Sequence, residues 1–89
     1  MAWQIRLTAT AEKELAKLDK QAAQRIIRFL KDRISVSENP RTLGKQLTGE
    51  LASFWRFRVG DYRIICDIQE NELTVLTLRI AHRKEAYSF

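Results

Sequence analysis

The residues best suited to chemistry are three arginines in one predicted β-hairpin. The segment FWRFRVGDYRII has two alternating apolar runs around Gly60-Asp61, a two-residue loop suited to a type II′ hairpin turn. Such a turn places Arg58 directly opposite Arg63, and Arg56, two residues from Arg58, on the same face of the sheet. Three guanidinium groups then share one small patch.

A bound anion would explain this patch. Like charges that face each other across two strands destabilise a sheet by on the order of a few tenths of a kcal/mol. The planar, two-pronged donor set of arginine matches a phosphate group. The alternative interpretation is that Arg56, Arg58 and Arg63 only decorate a solvated face, with Asp67 placed to pair with Arg63.

The C-terminal segment RIAHRKEAYSF adds further candidates. Arg79 and Arg83 have the same parity along the last predicted strand and its extension. His82, the one histidine of the chain, is expected in an exposed tail, where it either transfers protons or has no function. Tyr87 is a candidate stacking surface, acid or base, or a terminal hydrophobic plug.

These residue types suit one reaction, the attack of an RNA 2′-hydroxyl on its own adjacent phosphate. The sequence has no Ser/His/Asp arrangement, no paired carboxylates on one strand face and no glycine-rich phosphate loop. In this reaction the substrate supplies the nucleophile, and the protein aligns it, neutralises charge on the phosphorane and moves protons. Arginine neutralises charge but is a poor base, which leaves His82 or Tyr87 for proton transfer.

The elements that must position these residues follow from the pattern of apolar side chains. Two helices, with Thr10 and Asp19 as their capping residues, form a hairpin, and Arg41–Glu50 is expected to be a loop. Alternation and β-branched content predict four strands: Trp3–Leu7, Phe54–Val59, Tyr62–Ile68 and Leu73–Ile80. The order predicts a two-layer α+β fold, an N-terminal strand and a helical hairpin followed by an antiparallel three-strand meander, with the helices packed on one sheet face.

The parity of the remaining side chains predicts the core. Cys66 is expected to be an inert core thiol. The arginines of the second helix, Arg25, Arg28 and Arg33, stand at ordinary surface positions. The aromatic residues expected in the core are Trp3, Phe29, Trp55, Phe57 and Tyr62.

Length and composition set the broad class of protein. The 89 residues predict a single domain over 1–89, and the formal net charge of +5 favours an acidic partner, most commonly nucleic acid. No apolar run is long enough to span a membrane, and the N-terminus does not look like a signal peptide, so a cytoplasmic location is expected. A single cysteine excludes an internal disulfide and a cysteine-based zinc site, and we expect neither metal nor cofactor.

With these motifs in place, the chain resembles the RelE/ParE superfamily of toxins from bacterial type II toxin–antitoxin operons. The resemblance covers nearly the whole chain and depends on the order of elements, on LTGELASFWRFRVGDYRIICDI and on the ending LRIAHRKEAY. It implies the RelE-like fold and, for RelE-type members, metal-independent cleavage of mRNA in the ribosomal A site. Carried over by position, it implies that the catalytic residues are Arg56, Arg58, Arg63, Arg83 and Tyr87, with His82 beside Arg83 as a further proton-transfer candidate.

The resemblance also implies partners and a rival function. A toxin is expected to bind the ribosome and mRNA, and a cognate antitoxin, acidic and partly disordered, that covers its basic surface. ParE-type members share the fold but inhibit DNA gyrase without nuclease activity. A third alternative is a non-catalytic nucleic-acid-binding module. The clustering of Arg56, Arg58 and Arg63 with Arg83 and Tyr87 favours the ribonuclease.

Overall fold

The fold is built on a five-stranded sheet with the strand order β1-β5-β4-β3-β2. The computed structural model describes residues 2–85, so Tyr87 lies outside the described residues. The strands are β1 (Gln4–Leu7), β2 (Lys45–Gln46), β3 (Phe54–Val59), β4 (Tyr62–Gln69) and β5 (Thr74–His82). The helices are α1 (Ala9–Ala16) and α2 (Lys20–Phe29), which continues as a π-helical turn over Leu30–Ile34. This arrangement confirms the predicted two-layer α+β fold.

Two successive helices form as predicted, but the residue that caps the first helix is not the predicted one. Thr8, not Thr10, precedes α1, and Thr10 lies inside the helix. The Thr8 hydroxyl accepts a hydrogen bond from the Ala11 N–H at 3.1 Å and donates one to the Leu78 carbonyl at 2.9 Å. Thr8 therefore caps α1 and also ties it to β5. Asp19 stands at the cap position of α2 but makes no capping hydrogen bond with its side chain.

The meander of β3, β4 and β5 is antiparallel, as predicted, and β1 joins its edge by pairing in parallel with β5. The last strand runs two residues further than the predicted Leu73–Ile80, because Ala81 and His82 continue to pair with β4. A bulge interrupts this pairing: Ile65 faces Arg79 while the next residue, Cys66, faces Thr77. Leu78 is therefore an extra residue in β5, and side-chain parity changes there.

The predicted loop over Arg41–Glu50 contains a short strand that the sequence pattern missed. Lys45 and Gln46 form β2, which pairs antiparallel with Arg56 and Trp55 of β3. Two residues are too few to show an alternating pattern. Short 3-10 turns over Pro40–Leu43 and Gly49–Leu51 flank this strand.

The core lies between α2 and the sheet. Phe29 packs against Phe57 with ring centroids 6.0 Å apart. The predicted core aromatics all contribute: Trp3 and Phe57 are buried, and Phe29, Trp55 and Tyr62 are partly buried and pack against the core. Side chains that form the centre of the core are Ile26, Leu30, Ile34, Phe57, Ile64, Cys66 and Val75. No helix within residues 2–85 has the length and apolar character to cross a membrane.

The edge of β5 beyond the end of β1 is covered by α1. Glu14 accepts a hydrogen bond from the backbone N–H of Ile80 at 2.8 Å. The same carboxylate binds the Arg79 guanidinium through three N–O contacts of 3.0 to 3.2 Å. One side chain thus satisfies a strand-edge donor and an arginine together.

Removal of the Glu14 carboxylate should therefore destabilise the fold. We expect Glu14→Ala to lower the free energy of unfolding by about 1–3 kcal/mol, because a partly buried N–H and a guanidinium lose their acceptor. Urea unfolding of the purified protein measures the change. Glu12→Ala is the matched control, since Glu12 is exposed on the same helix. Equal stability of the two variants would contradict the role given to Glu14.

The Cys66 thiol should be chemically silent in the folded protein. It is fully buried, with Sγ 3.6 Å from the Thr77 hydroxyl, and burial raises the pKa of Cys66 from 9.0 to about 12. We expect a thiol reagent at pH 8 to label the protein only after denaturant is added, with Cys66→Ala as the unlabelled control. The folded state holds the proton more tightly than the unfolded state. The stability that the neutral thiol contributes is therefore complete below about pH 9 and is lost as the pH rises towards 12. Rapid labelling of the folded protein would contradict this.

Candidate active site

The hairpin formed by β3 and β4 has the predicted register. Val59 pairs with Tyr62, and Arg58 stands directly opposite Arg63. Gly60 has a φ of +58°, as the first central position of a type II′ turn requires. Parity then separates two faces: the core residues Phe57 and Ile64 point towards the helices, and the arginines point to the other side of the sheet.

The three arginines of this face differ in exposure. Arg58 is exposed and Arg56 is half-buried, whereas only 5% of Arg63 is accessible. The Nη1 group of Arg63 donates hydrogen bonds to the carbonyls of Gly60 at 3.1 Å and Tyr62 at 3.0 Å. Arg63 thus fastens the turn of its own hairpin while its charge stays opposite Arg58.

The alternative pairing of Arg63 with Asp67 is not formed among the described residues. The register puts Asp67 opposite Phe54, four residues along β4 from Arg63. The carboxylate of Asp67 instead accepts a hydrogen bond from the Gln69 amide at 3.2 Å. The alternative interpretation, a solvated sheet face on which Asp67 neutralises Arg63, is therefore without the ion pair that it required.

Arg83 is brought to the same hairpin turn from the end of β5. Its backbone N–H donates to the Asp61 carbonyl at 2.7 Å, and its Nε lies 4.0 Å from the Asp61 carboxylate. The side chain of Arg83 is 57% exposed, so this ion pair is open to solvent. Arg79, which shares its parity, does not join this group, because it binds Glu14.

His82 does not lie with the arginines. It pairs with Tyr62 across the strands, and parity places both on the helix-facing side of the sheet. The two rings meet edge to face with centroids 5.7 Å apart, and Nδ1 of His82 accepts a hydrogen bond from the Lys84 N–H at 3.3 Å. The expectation of an exposed tail is wrong here: His82 is a half-buried strand residue, because β5 extends to it.

Lys45 is a cation of this face that the sequence did not single out. The pairing of β2 with β3 puts it directly opposite Arg56, and its side chain is exposed. A groove of about 190 Å³ opens there, lined by Thr42, Leu43, Gly44, Lys45, Arg56 and Arg58. Only the strand pairing reveals this position, since the residue lies in an irregular stretch of sequence.

Two cations of this face, Lys45 and Arg58, have no acidic side chain within 4.0 Å among residues 2–85. The same residues contain no group of three His, Cys, Asp or Glu side chains able to hold a metal ion. The face can bind a phosphate group and stabilise charge that develops on it.

Comparison with known proteins places this chain among toxins. Residues 5–87 match the family described as the ParE toxin of type II toxin–antitoxin system, parDE. Toxin RelG of Mycobacterium tuberculosis is 33% identical over 87 residues, which cover 98% of each chain. Toxin RelE of the same organism is 31% identical over 85 residues, which cover 96% of this chain and 86% of that one.

Solved structures of similar proteins have the same fold. The toxin–antitoxin complex RelBE2 of M. tuberculosis contains a chain that matches with a TM-score of 0.85 and 32% identity, over 93% of each chain. The archaeal RelE–RelB complex of Pyrococcus horikoshii matches with a TM-score of 0.72 and 25% identity, over 93% of this chain and 97% of that one.

The difference in burial predicts a difference in stability between two arginine variants. Arg63→Ala should lower the free energy of unfolding by about 1–3 kcal/mol, because a buried group that binds two carbonyls is removed. Arg58→Ala, at an exposed position, should change it by no more than about 0.5 kcal/mol. Urea unfolding at one pH measures both. If Arg58→Ala were the more destabilised variant, the assigned exposures would be wrong.

Proposed function

Because the chain belongs to the ParE toxin family of type II toxin–antitoxin systems and has RelE-like relatives, we propose that it is a metal-independent endoribonuclease. Its substrate in this proposal is mRNA in the ribosomal A site, and its cleavage inhibits translation. The observation that carries the proposal is the pairing of Arg58 with Arg63 across the hairpin, with Arg56 on the same face. A polyanionic ligand relieves the repulsion that this pairing builds into the sheet.

The reaction that fits this face is transesterification within the RNA. The 2′-oxygen forms a bond to the adjacent phosphorus and the bond from phosphorus to the 5′-oxygen breaks, so the products are a 2′,3′-cyclic phosphate and a 5′-hydroxyl. Arg56 and Arg58 neutralise the extra charge on the phosphorane. Arg63 holds the turn and adds its own positive charge, and Arg83 approaches the phosphate from the other side of the turn.

Proton transfer is assigned to His82 and Tyr87. One proton must leave the attacking 2′-hydroxyl and one must reach the departing 5′-oxygen, and arginine does neither efficiently. The Nδ1 atom of His82 is engaged by the Lys84 N–H, which leaves Nε2 as the atom for this role. Because His82 faces the helix side, the RNA has to pass the end of the sheet for Nε2 to reach it. Tyr87, outside the described residues, keeps its assignment from the resemblance alone.

A cognate antitoxin is the second part of the proposal. The similar solved structures include complexes of RelE with RelB. We infer that this chain binds a corresponding acidic, partly disordered protein that covers the arginine face, since a net charge of +5 favours such a partner. Its place of action is the cytoplasm, where the ribosome and mRNA are.

The alternative function is inhibition of DNA gyrase. The family that matches the chain is described by its ParE toxins, which gives this alternative a specific basis. Its discriminating property is DNA damage without new RNA ends. A non-catalytic nucleic-acid binder would instead retain RNA with an affinity that falls steeply with salt, and would create no ends.

Mapping of mRNA 5′ ends after a brief pulse of the toxin tests the proposal. We expect new 5′-hydroxyl ends inside translated codons with the wild-type protein. Arg58→Ala and Arg83→Ala should each reduce the cleavage rate by about 10²-fold or more, because each removes a cation that meets the developing charge. Arg28→Ala is the control: it removes the same charge from the exposed side of α2 and should cleave normally.

Three other outcomes would overturn the proposal. Linearised DNA in arrested cells without new RNA ends would establish the gyrase inhibitor. Retention of RNA without new ends would establish the binding module. Full cleavage by both Arg58→Ala and Arg83→Ala would show that the ribonuclease site lies elsewhere.

A further inference from the structure

We propose that Lys45 is a substrate-binding residue and that the groove between β2 and β3 holds a second phosphate of the RNA, next to the one that is cleaved. This inference depends on the proposed function, since it assigns a place to a neighbouring nucleotide of the same strand. The ligand is one phosphodiester group bound by Lys45, and Arg56 and Arg58, which also line the groove, lie between it and the cleaved phosphate. The cleaved phosphate lies further along β3, where Arg58 faces Arg63 near the turn that binds Arg83.

Strand pairing fixes where Lys45 points. Lys45 stands directly opposite Arg56 in the antiparallel pair of β2 and β3, and directly paired residues project from the same face of a sheet. Lys45 therefore belongs to the arginine face and not to the core. Arg58 follows Arg56 on that face, about 6–7 Å further along the strand. Three cations thus follow one another from the sheet edge towards the hairpin turn.

Gly44 is what allows β2 to approach β3 so closely. A Cβ atom at this position would lie 2.7 Å from the Arg56 carbonyl oxygen and 2.8 Å from the ring of Phe57. Phe57 is fully buried and cannot move aside, so only glycine fits here. The backbone next to Lys45 is consequently held against β3, and the Lys45 side chain starts from a fixed point beside Arg56.

The groove has the chemistry of an anion site. Its volume of about 190 Å³ exceeds several-fold the roughly 30 Å³ of one water molecule, and none of its six lining residues is acidic. The wall formed by the Pro40–Leu43 turn is held in place, because Thr42 donates its hydroxyl hydrogen bond to the Asn39 carbonyl at 2.8 Å. Neither Lys45 nor Arg58 has an acid within 4.0 Å in the part of the chain from 2 to 85. A bound anion would compensate these two charges, which no acid of residues 2–85 does.

A chemically altered RNA tests this subsite directly. The probe is ribosome-bound mRNA in which a single phosphate on either side of the cleaved one is replaced by an uncharged methylphosphonate. The proteins are wild type, Lys45→Met, Lys45→Arg and the control Lys20→Met, which removes the same charge from the exposed start of α2. Single-turnover cleavage at several toxin concentrations separates the half-saturating concentration from the maximal rate.

We expect Lys45→Met to raise the half-saturating concentration about tenfold, or 1.4 kcal/mol, and to leave the maximal rate within about twofold. Lys45→Arg should keep most of the wild-type affinity, because the charge is retained. Replacement of the phosphate that Lys45 binds by a methylphosphonate should raise the half-saturating concentration of wild type by a similar factor, and that of Lys45→Met hardly at all. The effects of the RNA change and of the Lys45 substitution are then not additive. Urea unfolding should show Lys45→Met as stable as wild type.

The inference fails if Lys45→Met has the same half-saturating concentration as the control Lys20→Met. It also fails if each methylphosphonate substitution weakens the binding of Lys45→Met by the same factor as that of wild type. Either result leaves the proposed function standing, provided that wild type cleaves and Arg58→Ala does not. It also fails if Lys45→Met weakens only the complex with the antitoxin, since carboxylates would then be the ligands of the groove. A wild-type protein that cleaves no ribosome-bound mRNA at all would instead contradict the proposed function, and with it this subsite.

Discussion

The two-residue turn at Gly60-Asp61 fixes the register of β3 against β4, and that register decides which side chains meet. A slip by one residue would exchange the two faces of one strand relative to the other and send either Phe57 or Ile64 to the outside. The core therefore enforces the juxtaposition of Arg58 and Arg63, although that juxtaposition is electrostatically unfavourable. Hydrophobic burial on one face of the hairpin supplies the energy that holds like charges together on the other.

The candidate site also depends on how the sheet ends at its two edges. On one side, β2 closes the edge of β3 and brings Lys45 opposite Arg56. On the other side, α1 binds β5 beyond the last residue of β1 through Thr8 and Glu14. Both edges are thus covered in the regions that flank the arginine face. Arg58 and Arg63 lie between these two edges, on the middle strands next to the hairpin turn.

Much of the fold could be predicted because its elements are long enough to show their period. The helices and the meander strands appear as repeated patterns of three to four or two residues. The hairpin register followed from the turn residues, and with it the placement of Arg58 opposite Arg63. Each of these features is determined by residues that are close together in the sequence.

Other features could not be predicted because they depend on contacts between distant segments. Thr8 replaces Thr10 as the cap since its hydroxyl also reaches Leu78, seventy residues away in sequence. Lys45 lies on the arginine face because β2 pairs with β3. His82 lies on the opposite, helix-facing side because β5 continues to pair with β4 up to this residue.

The bulge at Leu78 divides β5 into two halves in which the alternation of side chains between the two sheet faces is offset by one residue. In its first half the residues that face the core are Val75 and Thr77, and in its second half they are Ile80 and His82. The orientation of the end of the strand is thus set by the number of residues in it and not by their identity. A side-chain replacement that keeps the pairing of β5 with β4 leaves Arg83 where it is. Loss of the extra residue Leu78 would only remove the bulge, whereas loss of another residue with the bulge kept would turn the final segment to the other face. The length of this strand is therefore a more stringent constraint on the site than its composition.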